Sequence, residues 1–398
     1  MEYTYERPIV RELAGALEKA PRLLHVVVGP RQVGKTTAVR QLCAKIGIPS
    51  RQASADTTLP PGTEWIETHW RLAFADARKT QSPALLVLDE IQKVRGWSET
   101  IKRLWDETLA QDIPLRVILL GSSALLVQTG LTESLAGRFF LHRCMHWNWP
   151  ECRAAFGWDL EHWLYFGGYP GAAIFANDDD EPRWRQYIAD SMIEAVLARD
   201  VLLLAPVAKP ILMRHLFGLA ATHPAQIFSY NKMLGQLQDA GNTTTLAHYA
   251  RLLSAAYLLT GLEQYSAGQL RKRGSSPKLI LWNNALVNAT SGLTRAETEA
   301  DGAWRGRLVE NAVGAHLLNH LQGPEWTISY WRDGDAEVDF VIRHGARVWA
   351  LEVKSGRPEK TPGMAAFRFR YPKAQALLVG AGGMPLEEFF ATAPDEIF

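Results

Sequence analysis

Residues 24–37 read LHVVVGPRQVGKTT. The apolar, mostly β-branched run Leu24, Val26, Val27 and Val28 predicts a buried strand of a parallel sheet. The strand ends in Gly29-Pro30-Arg31-Gln32-Val33-Gly34-Lys35-Thr36, which fits G-x-x-x-x-G-K-[ST] and predicts a phosphate-binding P-loop. Each residue type has a task there. The glycines let backbone N–H groups curl around phosphate oxygens, Lys35 brings a point charge to the β- and γ-phosphates, and the Thr36 hydroxyl ligates Mg²⁺. Residues 37–46 are compatible with a helix, so phosphate would sit at a helix N-terminus. Gly29 through Thr37 are therefore the candidate nucleotide-binding residues, with ATP and Mg²⁺ as the expected cofactors.

A second stretch supports the first. Ala84-Leu85-Leu86-Val87-Leu88-Asp89-Glu90 predicts a buried strand ending in two carboxylates. Alone it would be an apolar strand that runs into an acidic turn. Placed roughly fifty residues after a P-loop, it takes the Walker B role, with Asp89 in the Mg²⁺ shell and Glu90 orienting and deprotonating the attacking water. Around these stretches the spacing predicts a leading helix carrying Ile9, Leu13 and Leu17, a turn at 59–62 and a helix over 64–78. A helix over 97–111 with Ile101, Leu104, Trp105 and Leu109 inward follows, then a strand over 115–120 and a last core strand over 139–146.

The chain has 398 residues, 47% hydrophobic and 21% charged, which suits a globular protein with two or three cores. Its net charge of +1 excludes a partner chosen by bulk charge, so any nucleic-acid surface must be a local patch. The opening MEYTYERP has no apolar core, and no window holds the roughly eighteen uncharged apolar residues of a membrane span. The three cysteines, Cys43, Cys144 and Cys152, are a sparse and odd set that fits a reducing compartment. A cytoplasmic protein without membrane contact is expected. His142, Cys144 and His146 alternate along one strand near Cys152. Their spacing matches no standard zinc pattern, so ordinary strand alternation is the simpler reading.

From residue 150 to about 223 the chain is helical and aromatic, broken by the acidic loop 177–182, which reads as solvated rather than metal-binding. Residues 229–265 have the arithmetic of a winged helix. One helix spans 233–240, Gly241-Asn242-Thr243 follows, and a second helix spans 245–256 with Thr243 or Thr244 as its cap; then come an extended run and the basic tip Arg271-Lys272-Arg273. Such a module either contacts DNA or serves as a protein–protein spacer. Residues 304–320 predict an amphipathic helix, with Trp304, Leu308, Ala312, Ala315 and Leu318 inward, that also carries Glu310. Two alternating strands follow, 336–344 and 347–355, joined by Gly345-Ala346 as a type II′ turn. That turn puts His344 opposite Arg347, Asp339 opposite Glu352 and Glu337 opposite Lys354, so that Asp339, Glu352 and Lys354 converge on one face.

The combination GPRQVGKTT, LLVLDEIQ, GSS and SLAGRF, followed by Gly167-Gly168-Tyr169-Pro170-Gly171, resembles bacterial and archaeal AAA+ ATPases of the AAA-14 type joined to the domain-of-unknown-function family 4143. The resemblance covers nearly the whole chain. It implies an ATPase core, a winged-helix segment and a nuclease-like C-terminal fold. At the strand end Gly121-Ser122-Ser123, AAA+ proteins keep a sensor-1 group; Ser122 is the first choice and Ser123 the alternative, against a plain small-residue turn. Arg138 stands where a trans-acting arginine finger would project, against a simple surface arginine. The finger reading makes the working species a ring or filament of identical subunits, expected as a hexameric ring. Trp282-Asn283-Asn284 departs from these relatives, which often carry an aspartate there.

The C-terminal Asp339, Glu352 and Lys354 resemble the D…E-x-K arrangement of PD-(D/E)xK nucleases, and Glu310 resembles their helical acidic residue. In that chemistry the carboxylates hold Mg²⁺ against a scissile phosphate while the lysine activates water or steadies the developing charge. The alternative is a degenerate fold in which these groups only pair with one another. Arg343, Arg347, Arg357, Lys360, Arg368, Arg370 and Lys373 form a basic rim suited to a polyanion. The expected fold class is α/β: a P-loop AAA+ core with a parallel sheet (1–150), a helical lid (151–225), a winged-helix-like middle (226–270) and a PD-(D/E)xK nuclease-like α/β domain (271–398). The expected function is ATP hydrolysis coupled to action on branched or ended duplex DNA, with an ATP-gated protein-partner switch as the alternative.

Overall fold

All five residues of strand β1 (Leu24–Val28) are buried, as β-branched residues are in a parallel sheet covered on both faces. The computed structural model describes residues 5–19, 22–80, 82–122, 134–201, 207–237, 242–266, 276–356 and 361–398, the side chains of 199 and 200 excepted. They form two units, Met1–Met145 and His146–Phe398.

In the first unit β1 belongs to a five-stranded sheet with β2 (Ser50–Ser54), β3 (Ala84–Asp89), β4 (Leu115–Leu120) and β5 (Phe139–Arg143), in the order β2-β3-β4-β1-β5 and parallel throughout. Helices α1 (Pro8–Lys19), α2 (Lys35–Lys45), α3 (Thr63–Thr80) and α4 (Trp97–Ala110) complete it. Strand β2, SRQAS, has no counterpart in the sequence reading. It is a polar edge strand without a buried residue, held by backbone pairing from Ser50↔Leu85 to Ser54↔Asp89. The inward stripe of α4 also differs from expectation. Leu109 is 38% exposed, and the i, i+3, i+4, i+7 series from Ile101 runs instead through buried Thr108. The Thr108 hydroxyl accepts from Trp70 Nε1 at 3.0 Å and donates to the Leu104 carbonyl at 2.7 Å, so its polarity is satisfied.

The second unit begins with α5 (Trp149–Phe156) and α6 (Leu160–Phe166). Asn148 and Glu151 form a capping box on α5, and Asp159 caps α6. Helix α7 (Glu181–Tyr187) leads into wider π-type turns to Asp200, and α8 (Pro210–Thr222), α9 (Tyr230–Gln236) and α10 (Thr243–Ala255) follow. The cap of α10 is Asn242, whose side chain accepts from Thr245 N at 2.8 Å, and not Thr243 or Thr244. Asn242 takes the role because its backbone is extended there while both threonines already lie within the helix. Residues 238–241 and the tip Arg271–Arg273 lie outside the described residues. Strands β6 (Leu259–Leu262) and β7 (Lys278–Leu281) pair antiparallel.

Next come α11 (Asn284–Ser291), α12 (Arg295–Ala300) and α13 (Gly302–His320). The latter is enclosed nearly all round from Leu308 to Leu318 rather than amphipathic. It packs against β7, β10 (Arg347–Lys354), α6, α11 and α16 (Pro394–Ile397), so little of this stretch is left to water. The C-terminal sheet has four strands where two were expected: β8 (Trp326–Asp333), β9 (Ala336–His344), β10 and β11 (Gln375–Gly380), in the order β11-β10-β9-β8. Helices α14 (Pro362–Arg370) and α15 (Leu386–Ala391) accompany them. The turn is as expected: His344 pairs Arg347, and Gly345 has φ 58° while Ala346 stays out of the left-handed region.

Tyr165, Trp184, Leu216, Leu253, Leu286 and Leu308 belong to one hydrophobic cluster. The segments expected as lid, winged helix and start of the C-terminal domain thus share a core inside the second unit. Asn283 and Asn284 help hold it. The Asn283 side chain accepts from Ala285 N (3.0 Å) and Gly168 N (3.2 Å), a task an aspartate could also do. Asn284 donates its amide to the carbonyls of Leu164 (2.9 Å) and Leu308 (3.0 Å), where a carboxylate would set acceptors against acceptors.

Candidate functional site

The P-loop between β1 and α2 has Gln32 at φ 61° and Gly34 at φ 89°, left-handed turns that draw successive N–H groups to one side. A side chain at Gly29 is excluded, since its Cβ would lie 2.0 Å from the Cys144 carbonyl oxygen. Lys35 Nζ donates to the loop's own carbonyls at Gly29 (3.0 Å) and Pro30 (2.5 Å). Buried Arg7 braces the loop from beneath, donating to the Val33 carbonyl (2.9 Å), Cys144 Sγ (3.1 Å) and the Met145 carbonyl (3.1 Å). Nothing in the sequence around Arg7 signals that role.

The end of β3 faces the loop. Thr36 Oγ1 donates to Asp89 Oδ2 at 2.8 Å, which joins the two residues expected to share a magnesium ion. The other Asp89 oxygen accepts from Glu90 N at 2.9 Å. Glu90 is held at φ 55°, a conformation uncommon for a side chain of its size, and it turns its carboxylate off the strand end. Burial pushes the Glu90 carboxyl above its ordinary pKa; Arg31 opposes that shift and Asp89 adds to it. Gln92, which the sequence reading passed over, donates its amide to Glu90 Oε2 at 2.8 Å and reaches Ser122 Oγ at 3.5 Å. The favoured sensor serine therefore stands in line with the Walker B carboxylate through one buried amide. Ser123 lies outside the described residues, as do Leu131, Thr132 and Glu133.

Arg138 makes a two-point ion pair with Asp106 of its own chain, at 2.8 and 3.0 Å. That hydrogen-bonded partner raises the arginine's pKa and lowers the aspartate's. His142 is committed as well, with Nε2 3.0 Å from His25 Nδ1 and Nδ1 2.6 Å from Glu12 Oε1. Among the described residues no group of three or more His, Cys, Asp or Glu is arranged to hold a metal ion.

The C-terminal constellation assembles, but around a residue that the sequence reading did not include. Glu310 comes from α13, Glu337 and Asp339 from β9, and Glu352 and Lys354 from β10. At their centre is Lys278 of β7, with no exposed surface. Its Nζ pairs with Glu310 Oε1 and lies 3.3 Å from Asp339 Oδ1 and 3.5 Å from Glu337 Oε1. Burial would drive this lysine's pKa down, yet the carboxylates outweigh burial and hold it above its ordinary value. Asp339 Oδ2 accepts from Val353 N at 2.8 Å, and Lys354 Nζ sits 3.0 Å from Glu352 Oε1. The second Glu352 oxygen is buried without a hydrogen-bond partner. Burial and then Asp339 push Glu352 up to about 7 and Glu310 up to about 8.

A divalent ion needs several oxygens around one point. Here the point shared by Glu310, Asp339 and Glu337 is taken by an ammonium, so these residues as arranged do not fit the Mg²⁺ expected at Glu310, Asp339 and Glu352. One signal was legible: Lys278 opens the otherwise apolar strand KLIL, and a lysine is seldom buried without a partner. Elsewhere in this unit a cleft of about 1880 Å³ is lined by Thr243 and Thr244 at the start of α10, Arg251, Trp326, Arg332 and Arg343, among others. Of the expected basic rim, Arg343, Arg347, Arg368, Arg370 and Lys373 are exposed, while Arg357 and Lys360 lie outside the described residues.

Residues 22–152 match the AAA domain family, residues 157–297 a domain of unknown function, DUF8612, and residues 305–389 another, DUF4143. No curated protein matches the sequence. Among solved structures, the Walker-type ATPase of Pyrococcus abyssi is similar at 14% identity and a TM-score of 0.50, over 71% of this chain and 94% of that one. The Aeropyrum pernix Orc1 protein in complex with DNA is similar at 16% identity and a TM-score of 0.28, over 71% of this chain and 91% of that one. The parallel-sheet unit with its P-loop has the fold of an AAA-type ATPase, and no helix among the described residues is long and apolar enough to cross a membrane.

Proposed function

We propose that this chain binds and hydrolyses ATP with Mg²⁺ at the P-loop and uses the turnover to act on DNA through its second unit. The observation that carries the ATPase reading is the 2.8 Å hydrogen bond from Thr36 to Asp89, which brings a hydroxyl and a carboxylate together beside the loop. Thr36 and Asp89 would hold the magnesium, whose charge offsets that of the phosphates. Lys35 and the loop N–H groups of Gly29 to Thr37 bind the phosphate oxygens. Glu90, with its raised pKa, takes a proton from the attacking water, and Gln92 fixes its carboxylate while tying it to Ser122 as sensor. Arg138 acts in trans only by giving up Asp106, which suits a hexameric ring formed when nucleotide is bound.

The DNA reading is supported by α9 and α10 followed by the β6–β7 ribbon, the order of elements expected of a winged helix, and by the cleft whose lining includes Thr243, Thr244, Trp326 and four arginines. A second reading is favoured by Lys278: a partner-binding switch, set by ATP, whose C-terminal domain is a degenerate relative of the nucleases. Two measurements test the proposal. A fluorescent ATP analogue should bind wild type and fail to bind Lys35→Ala, and equal binding by both removes the ATP claim. Gel shifts with linear and four-way DNA should weaken steeply as salt rises. Absence of any shift at low salt favours the switch.

A further inference from the structure

Lys278 offers three N–H donors, and three carboxylates from two separate elements receive them: Glu310 from α13, Asp339 and Glu337 from β9. The match of donors to acceptors is complete. The ammonium also lies over the Phe340 ring, 5.2 Å from its centre, which adds a cation–π attraction. Strand β7 is pinned by pairing with β6, where Leu262 stands opposite Lys278, and by an isolated bridge to Ile227. The positive charge is thus delivered by a covalent tether from a fixed strand. A wholly buried lysine with fewer partners would be costly, and buried carboxylates without a cation equally so.

We propose that Lys278 is a built-in replacement for a divalent cation: its ammonium fills an oxygen cage made by Glu310, Asp339 and Glu337, and removal of that ammonium opens the cage to Mg²⁺ or Mn²⁺. With the ammonium in place the carboxylates are not arranged to hold a metal ion, and their charge is met from within the chain. Folding of the second unit then needs no metal, and the constellation does not cut DNA. The inference is independent of whether the chain hydrolyses ATP or contacts DNA.

The test uses the full chain without nucleotide, with Asp89→Asn in every protein to remove the P-loop's own metal ligand, and follows Mn²⁺ by electron paramagnetic resonance. The Asp89→Asn protein should leave Mn²⁺ free. Adding Lys278→Ala should create one Mn²⁺ site per chain, with affinity at least tenfold above the parent, and Mn²⁺ should raise its melting temperature. Adding Asp339→Asn should abolish both effects. A folded Lys278→Ala protein that leaves Mn²⁺ free overturns the proposal, as does a parent that binds one Mn²⁺ sensitive to Asp339→Asn. If Lys278→Ala does not fold, the parent with and without Asp339→Asn decides alone: an Asp339-dependent Mn²⁺ overturns the inference and its absence upholds it.

Discussion

Each unit gathers carboxylates from strands beside a lysine, and the two use the lysine differently. At the P-loop, Lys35 is drawn to the carbonyls of Gly29 and Pro30, and the Asp89 oxygens accept from neutral donors, the Thr36 hydroxyl and the Glu90 N–H. In the second unit, Lys278 of β7 stands among the carboxylates of Glu310, Glu337 and Asp339, and a second lysine covers Glu352. The residue types are nearly the same. A carboxylate that faces a hydroxyl remains an available ligand for a metal, whereas one already paired with a buried ammonium has its charge answered. Composition of a site therefore says less about its chemistry than which oxygen each cation faces.

The contrast breaks first at Glu90. Glu90→Gln should cut ATP hydrolysis by about 10²–10⁴-fold with nucleotide binding retained, measured as phosphate release beside binding of a fluorescent analogue; unchanged turnover places the chemistry elsewhere. Next is Lys278→Met, which leaves three partly exposed carboxylates without their cation. It should cost about 3–5 kcal/mol in chemical denaturation of the second unit, and a loss under about 1 kcal/mol, the worth of an exposed pair, ends the view of a site locked by charge.

The acid–base behaviour sharpens the same contrast by a smaller amount. Glu352 and Glu310 have folded values of about 7 and about 8 against an ordinary 4.5. A carboxyl whose pKa rises on folding adds stability while protonated and loses it as pH climbs through the folded value. Stability of the second unit should fall as pH climbs from about 4.5 to about 8, by roughly 1–3 kcal/mol, read from urea midpoints, and Glu352→Gln should flatten the fall. Because 22% of the Glu310 side chain is exposed, most of the change belongs to Glu352. The smallest effect is at Arg138, whose pair with Asp106 is open to solvent. Arg138→Ala should move the melting temperature by no more than about two degrees, while ATP turnover falls only at protein concentrations that support assembly.

Local pattern made the first unit readable. The P-loop, the Asp89–Glu90 strand end and their flanking helices are set by runs of neighbouring residues whose period and turn chemistry carry the signal. Strand β2 escaped because an edge strand can be held by its backbone and needs no apolar face. The β9–β10 register followed from a two-residue turn and holds from His344 against Arg347 to Phe340 against Leu351; β8 carries the same kind of marker, the Gly334-Asp335 turn into β9, which the reading passed over, while β11 has none. Gln92 and Arg7 were missed for a different reason: their partners are groups brought near only by the folded sheet and loop.

The sequence by itself determined that a phosphate-binding loop follows a buried strand, that two carboxylates end another, and that a C-terminal hairpin sets acidic residues and a lysine on one face. Each of these depends on residues within a few positions of one another, where bond geometry fixes the outcome. Only the tertiary structure decided that Lys278 enters the acidic cluster and that Arg138 leans on Asp106. Lys278 lies 32 residues from Glu310 and 61 from Asp339 along the sequence, a separation over which no periodicity acts. What brings them together is packing, and the strength of a charge's interaction depends on the distance and the dielectric that packing leaves.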